Sequence, residues 1–539
     1  MRTLAQEDQL LAEEAQRQVE SGASVGEGAP ASFGRFTDQA LSAEVVEKVL
    51  AGHYLWTPAD GWLKWNGRVW ADVHDVDVEH AVHGWLRLNY LEAEKDRTAA
   101  QIDGEAEEAV KARTAVAKCW RDRLGRKLML PLVALARGNP LVRAEAAAFD
   151  ADPDLLVVGN GVVDLRTGEI HGHDPIRRVR KHTPVNYRPQ ARHADWEAAL
   201  TALDQDDREY ALARLGQAVT GYTPDDDRLP IFQGDGANGK TTIMSAVKSA
   251  LGDYAITLSR KALFGSPSDH STEKMPLRGA RLAILEELDE GGHLNVAALK
   301  ELVGTETITA RAIRRDNVTW QTTHSLVINT NPLPVVSEVD HGTWRRLVLV
   351  PFPYTYVDPG ARMQGPLERP GDPGIRQRMK TGAQGQWEAV LATLVEQAVR
   401  WYARGRRTPE MPPAVAMATN SWRESADQVM AFIQENVLVT GGSAVPVGDF
   451  QRAFNDWQQV QGNKVWSAKL IASRFEGHSL FSRPGIRRCA VRPDSTTLSF
   501  YGDGKSESPG VAVKAWSGVR LGVSIELAGT PGRMRRETS

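Results

Sequence analysis

The densest chemistry in the sequence lies in eight consecutive residues, Gly234-Asp235-Gly236-Ala237-Asn238-Gly239-Lys240-Thr241. They fit the pattern G-x-x-x-x-G-K-[ST]. Its glycines let a loop wrap so that backbone N–H groups face phosphate oxygens, its lysine neutralises the β and γ oxygens, and its hydroxyl ligates Mg²⁺. An apolar strand pattern at residues 229–232 leads into the loop, and a helical pattern at 242–251 leaves it, with Thr242 counted among the binding residues. The expected ligands are therefore a nucleoside triphosphate and Mg²⁺, with Lys240 the residue on which turnover depends.

Three further groups follow in order. The next buried strand candidate, 281–285 (RLAIL), ends in Glu286-Glu287, 46 positions after Lys240. Adjacent acids at a strand's carboxyl end can hold the Mg²⁺ shell and polarise an attacking water, so Glu286 is expected at the metal with Thr241, and Glu287 as the base. Asp289 is a further acid candidate. Another strand pattern, 325–328, ends in Asn329-Thr330-Asn331-Pro332. A neutral amide can bond the γ-phosphate or the water without repelling either, and Asn331 is preferred over Asn329 for that role. Finally Gly342-Thr343-Trp344-Arg345-Arg346 precedes the strand pattern 347–350, a position suited to an arginine that stabilises charge on a transferred phosphoryl in a neighbouring subunit. Arg346 is favoured and Arg345 stands second.

These residues need a scaffold, and the composition provides for one. The chain has 539 residues, 42% hydrophobic and 25% charged, ordinary globular usage and enough for two to four domains. With 65 Lys and Arg against 68 Asp and Glu, any nucleic-acid contact must come from a local basic patch rather than net charge. Two cysteines, Cys119 and Cys489, cannot build a disulfide framework or a four-ligand zinc site, which suits a reducing cytoplasm. No apolar run approaches a membrane span, and the charged amino terminus lacks a signal peptide's apolar centre.

Along the chain, residues 1–36 read as a flexible leader rich in Gly, Ser, Ala and Pro. A mixed, mostly helical domain is expected over 37–204. Within it Asn66-Gly67 should turn a hairpin in 62–73, helices should cover 80–91 and 103–135 with a break at Pro131, and a strand pair should turn at Gly159-Asn160-Gly161. Strands alternating with helices over 205–404 indicate an α/β core, in which residues 358–384 read as a loop or insertion. After a linker, 405–420, three helical patterns and short strands in 421–539 suggest a winged helix, whose third helix (467–475, with Lys469 and Arg474) would either enter a DNA groove or leave the domain to bind protein or pack on its own ring; a basic tail, 532–536, follows. His171 and His173 share a strand face, but no third ligand accompanies them.

The loop, acids, asparagine and arginines, in this order within about 120 residues, resemble superfamily 3 helicases of the AAA+ class, and more closely the helicase part of phage and plasmid primase-helicases, with the poxvirus primase-helicase a distant relative. The stretch LKELVGTETITAR (residues 299–311) is similar to the segment that leads into that family's DNA-contacting hairpin. The resemblance implies a hairpin over 308–322, with Arg311, Arg314, Arg315 and Asn317 near its tip and Lys300 on the preceding helix. Clustered guanidiniums on a loop suit phosphate contacts of low sequence preference. The segments LLVVGNGVVDLRTGEI and AWSGVRLG resemble the family's flanking regions. Only about 60 residues precede Trp62, so no primase domain is expected.

The resemblance implies a multidomain α/β protein with a central AAA+ core and a ring-forming, hexameric, ATP-dependent DNA helicase. It would move 3′ to 5′ on single-stranded and fork DNA in phage or plasmid replication within a bacterial cytoplasm, beside a separate primase or polymerase. The alternative is an origin-binding initiator or helicase loader that uses ATP as an assembly switch. A small-molecule kinase would leave the arginines, the asparagine and the hairpin without roles.

Overall fold

The computed structural model describes residues 34–265, 271–289, 292–311, 317–336, 341–426, 428–463, 465–468, 471–472, 475, 486–491 and 512–522. Two compact units divide the chain. One holds the described residues up to Ala151 together with Asp174–Arg180; the other holds Asp152–His173 and the chain from Lys181 onward.

In the first unit, β1 (Tyr54–Thr57), β2 (Gly61–Trp65) and β3 (Trp70–Asp72) form an antiparallel sheet. The turn between β2 and β3 is longer than Asn-Gly alone requires. Trp65 pairs with Trp70, and the Asn66 side chain accepts bonds from the amides of Arg68 and Val69 at 2.9 Å each, an Asx turn that closes a four-residue loop. Against this sheet unit's core lie α1 (Asp38–Val45), α2 (Asp75–Ile102), α3 (Glu107–Arg123) and α4 (Arg126–Ala136). In α2 the fully buried Val78, Val82 and Leu86 recur every four residues, the stripe expected of an amphipathic helix. The helical break expected at Pro131 falls instead at Leu124-Gly125, and Pro131 lies inside α4.

The second unit is built on a five-stranded parallel sheet of β7 (Leu229–Gln233), β8 (Ala255–Thr257), β9 (Leu282–Glu286), β12 (Ser325–Thr330) and β13 (Leu347–Pro351), in the order β13-β7-β12-β9-β8. Alternate residues enter two different cores. Phe232, Leu282, Ile284, Val327, Val348 and Val350 join one, while Leu229, Ile231, Ala283, Leu285, Leu326, Ile328, Leu347 and Leu349 join the other. Both faces are covered, as all-parallel sheets require. The first face is packed by α5 (Gln205–Val219), α6 (Lys240–Leu251) and α8 (Gln386–Ala403), the second by α7 (Val296–Gly304). Gly216 is what lets α5 and α8 touch: a Cβ there would lie 2.3 Å from Gln397 Cβ.

The strands β4 (Leu155–Val158), β5 (Gly161–Asp164) and β6 (Glu169–His171) pair antiparallel, with Val158 opposite Gly161. They pack in this second unit, because Leu156, Val158, Val163 and Leu165 share a core with α5 and α6. The unit boundary after Ala151 thus precedes the expected domain end at residue 204 by about fifty residues. Residues 358–384 carry structure of their own: β15 (Glu368–Pro370) pairs with β14 (Thr355–Val357), and a short helix spans Ile375–Thr381.

Between the sheet strands, β10 (Thr307–Arg311) and β11 (Asn317–Gln321) form an antiparallel hairpin stem. Beyond the core come α9 (Pro413–Ala426), α10 (Gln428–Asn436) and α11 (Val447–Val460), and an antiparallel sheet in the order β16 (Val437–Pro446), β18 (Val513–Leu521), β17 (Arg487–Val491). Phe432, Phe450, Phe454 and Phe475 meet edge to face in this region's core. The residues up to 33, Lys469 and Arg474 of the expected third helix, and the basic tail lie outside the described residues.

Candidate nucleotide site

In strand order β13-β7-β12-β9-β8 the chain leaves β7 toward the β8 edge but leaves β12 toward β13, on the opposite side. The crevice beyond the carboxyl ends of two such neighbours is where open parallel sheets hold ligands. The expected residues sit there. Asn329 of β12 is in register with Phe232 of β7 on one side and with Glu286 of β9 on the other, so the glycine-rich loop, the asparagines and the acids leave three adjacent strand ends.

The loop runs from Gln233 to the first turn of α6. Its backbone takes positive φ at Gly236 (110°), Ala237 (46°) and Gly239 (85°). Gly234 is fixed by space rather than by φ, since a Cβ there would lie 2.2 Å from Asn238 Nδ2 and 2.6 Å from the Phe352 carbonyl oxygen. From β14, the Tyr356 amide donates to the Ala237 carbonyl at 2.7 Å. That clamp was not legible beforehand, because residue 356 is remote in sequence and carries no motif.

Lys240 is buried, and its ammonium donates to the Gly234 carbonyl at 2.6 Å, to Asn238 Oδ1 at 3.0 Å and to Asn331 Oδ1 at 3.0 Å. None of the three acceptors is charged. Burial therefore pulls the amine down to about 8, and nearby Asp235 offsets only part of that, as expected for a cation short of a counter-charge. Asn238 Nδ2 is buried without a partner. An anion beside this loop would supply what the lysine lacks.

The chain brings Asn331 rather than Asn329 to the lysine. Asn329 is buried, and its Oδ1 has no partner. Glu286 ends β9 half-buried, while Glu287 is exposed and takes φ of +53°, a conformation costly for a residue with a Cβ and found most often where function holds it. Its amide bonds the Asn329 carbonyl at 3.0 Å. Asp289 is engaged elsewhere, in an ion pair with Arg260. Thr241 is exposed in the first turn of α6. Its hydroxyl and the Glu286 carboxylate are the hard oxygen donors that Mg²⁺ takes.

The arginines are placed unequally. Arg346 is enclosed: its side chain is 13% exposed, and Nη1 donates to the Gly342 carbonyl at 2.6 Å. Arg345 is 47% exposed. Both reach Asp227 Oδ2, at 3.4 and 3.5 Å, a partner the sequence showed only as one of three adjacent acids.

On the hairpin stem, Arg311 lies opposite Asn317, Thr309 opposite Thr319 and Thr307 opposite Gln321, and all six are exposed. The two threonine hydroxyls bond at 2.8 Å. Arg314 and Arg315 lie outside the described residues. Lys300 is half-buried on α7. No helix among the described residues is long and apolar enough to cross a membrane.

Known proteins share parts of this chain. Residues 43–204 match the family model described as "D5 N terminal like", and residues 232–346 match a family of unknown function, DUF5906. Over 341 residues the chain is 28% identical to a "Putative primase" of African swine fever virus (strain Badajoz 1971 Vero-adapted), covering 60% of this chain and 35% of that protein. It is 24% identical over 388 residues to a "Putative helicase" of Frog virus 3 (isolate Goorha), covering 57% and 39%. A "Putative helicase" of Acanthamoeba polyphaga mimivirus is 32% identical over 152 residues, 28% of this chain and 16% of that protein. The chain thus spans well under half the length of the curated relatives it matches. Among solved structures, the apo "NrS-1 C terminal region" aligns over 72% of this chain and 89% of that one, at 11% identity and a TM-score of 0.35.

Proposed function

We propose that this chain is an ATP-driven DNA helicase of the superfamily 3, AAA+ type, working as a ring in phage or plasmid replication. The observation that carries the reading is the lysine contact set. Lys240 of the glycine-rich loop meets Asn331 from the next strand end at 3.0 Å, and the acids Glu286 and Glu287 leave the strand beyond. Viral relatives named for primase and helicase roles support a replication setting.

In this reading the amides of Gly234–Thr242 and the Lys240 ammonium bind the ATP phosphates. Thr241 and Glu286 would hold Mg²⁺, which supplies charge neutralisation on the β and γ oxygens when bound. Glu287 takes a proton from the attacking water, and Asn331 orients that water or the γ-phosphate. An arginine from a neighbouring subunit meets the charge that develops as the γ-phosphoryl leaves. Translocation is assigned to the β10–β11 hairpin, with Lys300, Arg311, Arg314, Arg315 and Asn317 on the DNA. Residues 421–539 are assigned as a winged helix, the ring as a hexamer, the polarity as 3′ to 5′, and a separate primase or polymerase as the partner.

The test is ATP hydrolysis and displacement of a strand from a forked duplex by the full chain. Lys240→Ala should abolish both, and Glu287→Gln should abolish hydrolysis while nucleotide still binds. Turnover retained by Lys240→Ala would refute the site assignment.

A further inference from the structure

The arginine pair before β13 is fixed to its own subunit in two different ways. Arg346 is the more enclosed. Its guanidinium is bonded to the Gly342 carbonyl at 2.6 Å and lies 3.5 Å from Asp227 Oδ2, and its Nε is buried without a partner. It also lies against the end of α7. A Cβ placed on Gly304, the last residue of that helix, would come 3.4 Å from Arg346 Nη2, 3.8 Å from its Nε and 3.8 Å from Asp227 Oδ2. The last turn of α7 carries no basic residue of its own, and Arg346 brings a cation close to that carboxyl end, where positive charge is favoured.

Three positions after Gly304 the hairpin strand β10 begins. Its base is tied by the Thr322 amide to the Glu306 carbonyl at 2.9 Å. Arg346, Asp227 and Gly304 therefore form a packed contact at the root of the hairpin. Asp227 is itself held in an uncommon conformation, with φ of +52°. Arg345, by contrast, is 47% exposed and is held by the 3.4 Å contact with Asp227. A side chain that must enter another subunit has to be free to leave its own, and Arg345 meets that condition better.

We propose that the two arginines have separate roles. Arg345 is the guanidinium that a neighbouring subunit's nucleotide receives, and Arg346 is a positioning residue that joins Asp227 to the end of α7 and so couples the ring interface to the hairpin. This rests on the ring-helicase reading above. Because Asp227 touches both arginines, withdrawal of Arg345 toward a neighbour's phosphates leaves Asp227 to Arg346 alone, which changes the contact at the root of the hairpin.

The test uses the full chain and measures ATP turnover with and without single-stranded DNA, for single variants and for equal mixtures with Lys240→Ala subunits. Ring interfaces are heterologous, so one subunit's nucleotide meets the next subunit's arginine. Arg345→Ala should lower turnover by about a thousandfold or more, in the range of other arginine fingers. Mixed with Lys240→Ala it should regain roughly a quarter of the wild-type rate, because one interface in four then joins an intact loop to an intact arginine in a closed ring. Arg346→Ala should turn over ATP but lose its stimulation by DNA, Asp227→Asn should do the same, and Arg346→Lys should restore stimulation. If Arg346→Ala fails to fold, Asp227→Asn and Arg346→Lys carry this arm.

The division of roles is overturned if Arg346→Ala is the variant that loses turnover and is rescued by mixing, or if both Arg346→Ala and Asp227→Asn keep full stimulation. A dead Lys240→Ala beside a fully active Arg345→Ala also overturns it, while leaving the nucleotide site intact. An active Lys240→Ala overturns the underlying reading instead.

Discussion

Raising the pH should weaken nucleotide binding by an amount that the Lys240 surroundings set. In the free protein the amine is held at about 8 by burial among uncharged acceptors. A bound polyphosphate adds the missing negative charge and should carry the amine back to or above its ordinary value near 10.4. Binding then takes up a proton at high pH. Affinity should be level below pH 8, where free and bound lysine are both protonated, and should fall about tenfold per pH unit above it. Between pH 7 and pH 9 the protonated fraction of the free protein drops from about ten-elevenths to about one-eleventh, so Kd should rise about tenfold, or ~1.4 kcal/mol. Phosphate oxygens, with a second pKa near 6, contribute little over that window. Calorimetric titration of ATP with Mg²⁺ at constant ionic strength measures it, and Lys240→Met should bind weakly with the slope removed. A wild-type Kd unchanged from pH 7 to pH 9, or a slope that survives in Lys240→Met, would show that Lys240 is not the group that takes up the proton.

Other outcomes follow from single contacts. Glu287→Gly should raise the unfolding free energy by about 1 kcal/mol, because it releases a Cβ from φ of +53°, while hydrolysis is lost; paired denaturation and turnover assays check both. Gly234→Ala should abolish ATP binding with the rest of the fold retained, since its Cβ would meet Asn238 and the Phe352 carbonyl. Arg214→Ala should cost about 1.5–3 kcal/mol, since it removes the buried guanidinium that bonds Asp226 at 2.8 and 2.9 Å and leaves that part-exposed carboxylate to Arg228; urea denaturation reads that directly. Arg378 holds the Asp195 carboxyl down at about 2, below its unfolded value near 3.9. The stability it contributes is present above that unfolded value and is lost as pH falls through about 2, so Arg378→Ala should remove it and flatten the acid limb of a pH–stability profile.

The parts of the candidate site whose local geometry is legible in the sequence are those that need no remote partner. A glycine-rich loop between an apolar strand and a helix needs no partner to be recognised, and the positive φ values at Gly236 and Gly239 are what its composition implies. Strand ends were legible because two-sided burial leaves uninterrupted apolar runs, such as 282–285 and 326–328. Contacts between remote segments were not. Nothing near Tyr356 announces that its amide holds Ala237, and nothing near Asp227 announces two arginines over a hundred positions later. The expectation for Arg346 turned on order in the chain, whereas its enclosure depends on how α7 packs. Turn length between β2 and β3 was set by an Asn66 side chain satisfying two amides, which outweighed the Asn-Gly preference. The assignment of β4–β6 to the second unit came from shared core residues, which periodicity cannot show.

In the proposed mechanism one chain couples nucleotide hydrolysis to DNA through the β10–β11 hairpin. The most direct measurement is ATP hydrolysis with and without single-stranded DNA, in wild type and in an Arg311→Ala, Arg314→Ala, Arg315→Ala variant. Strong stimulation of the wild type, lost in the variant while its DNA-free rate persists, is the predicted result. Equal, unstimulated rates in both proteins would contradict it and favour an ATP-switched initiator.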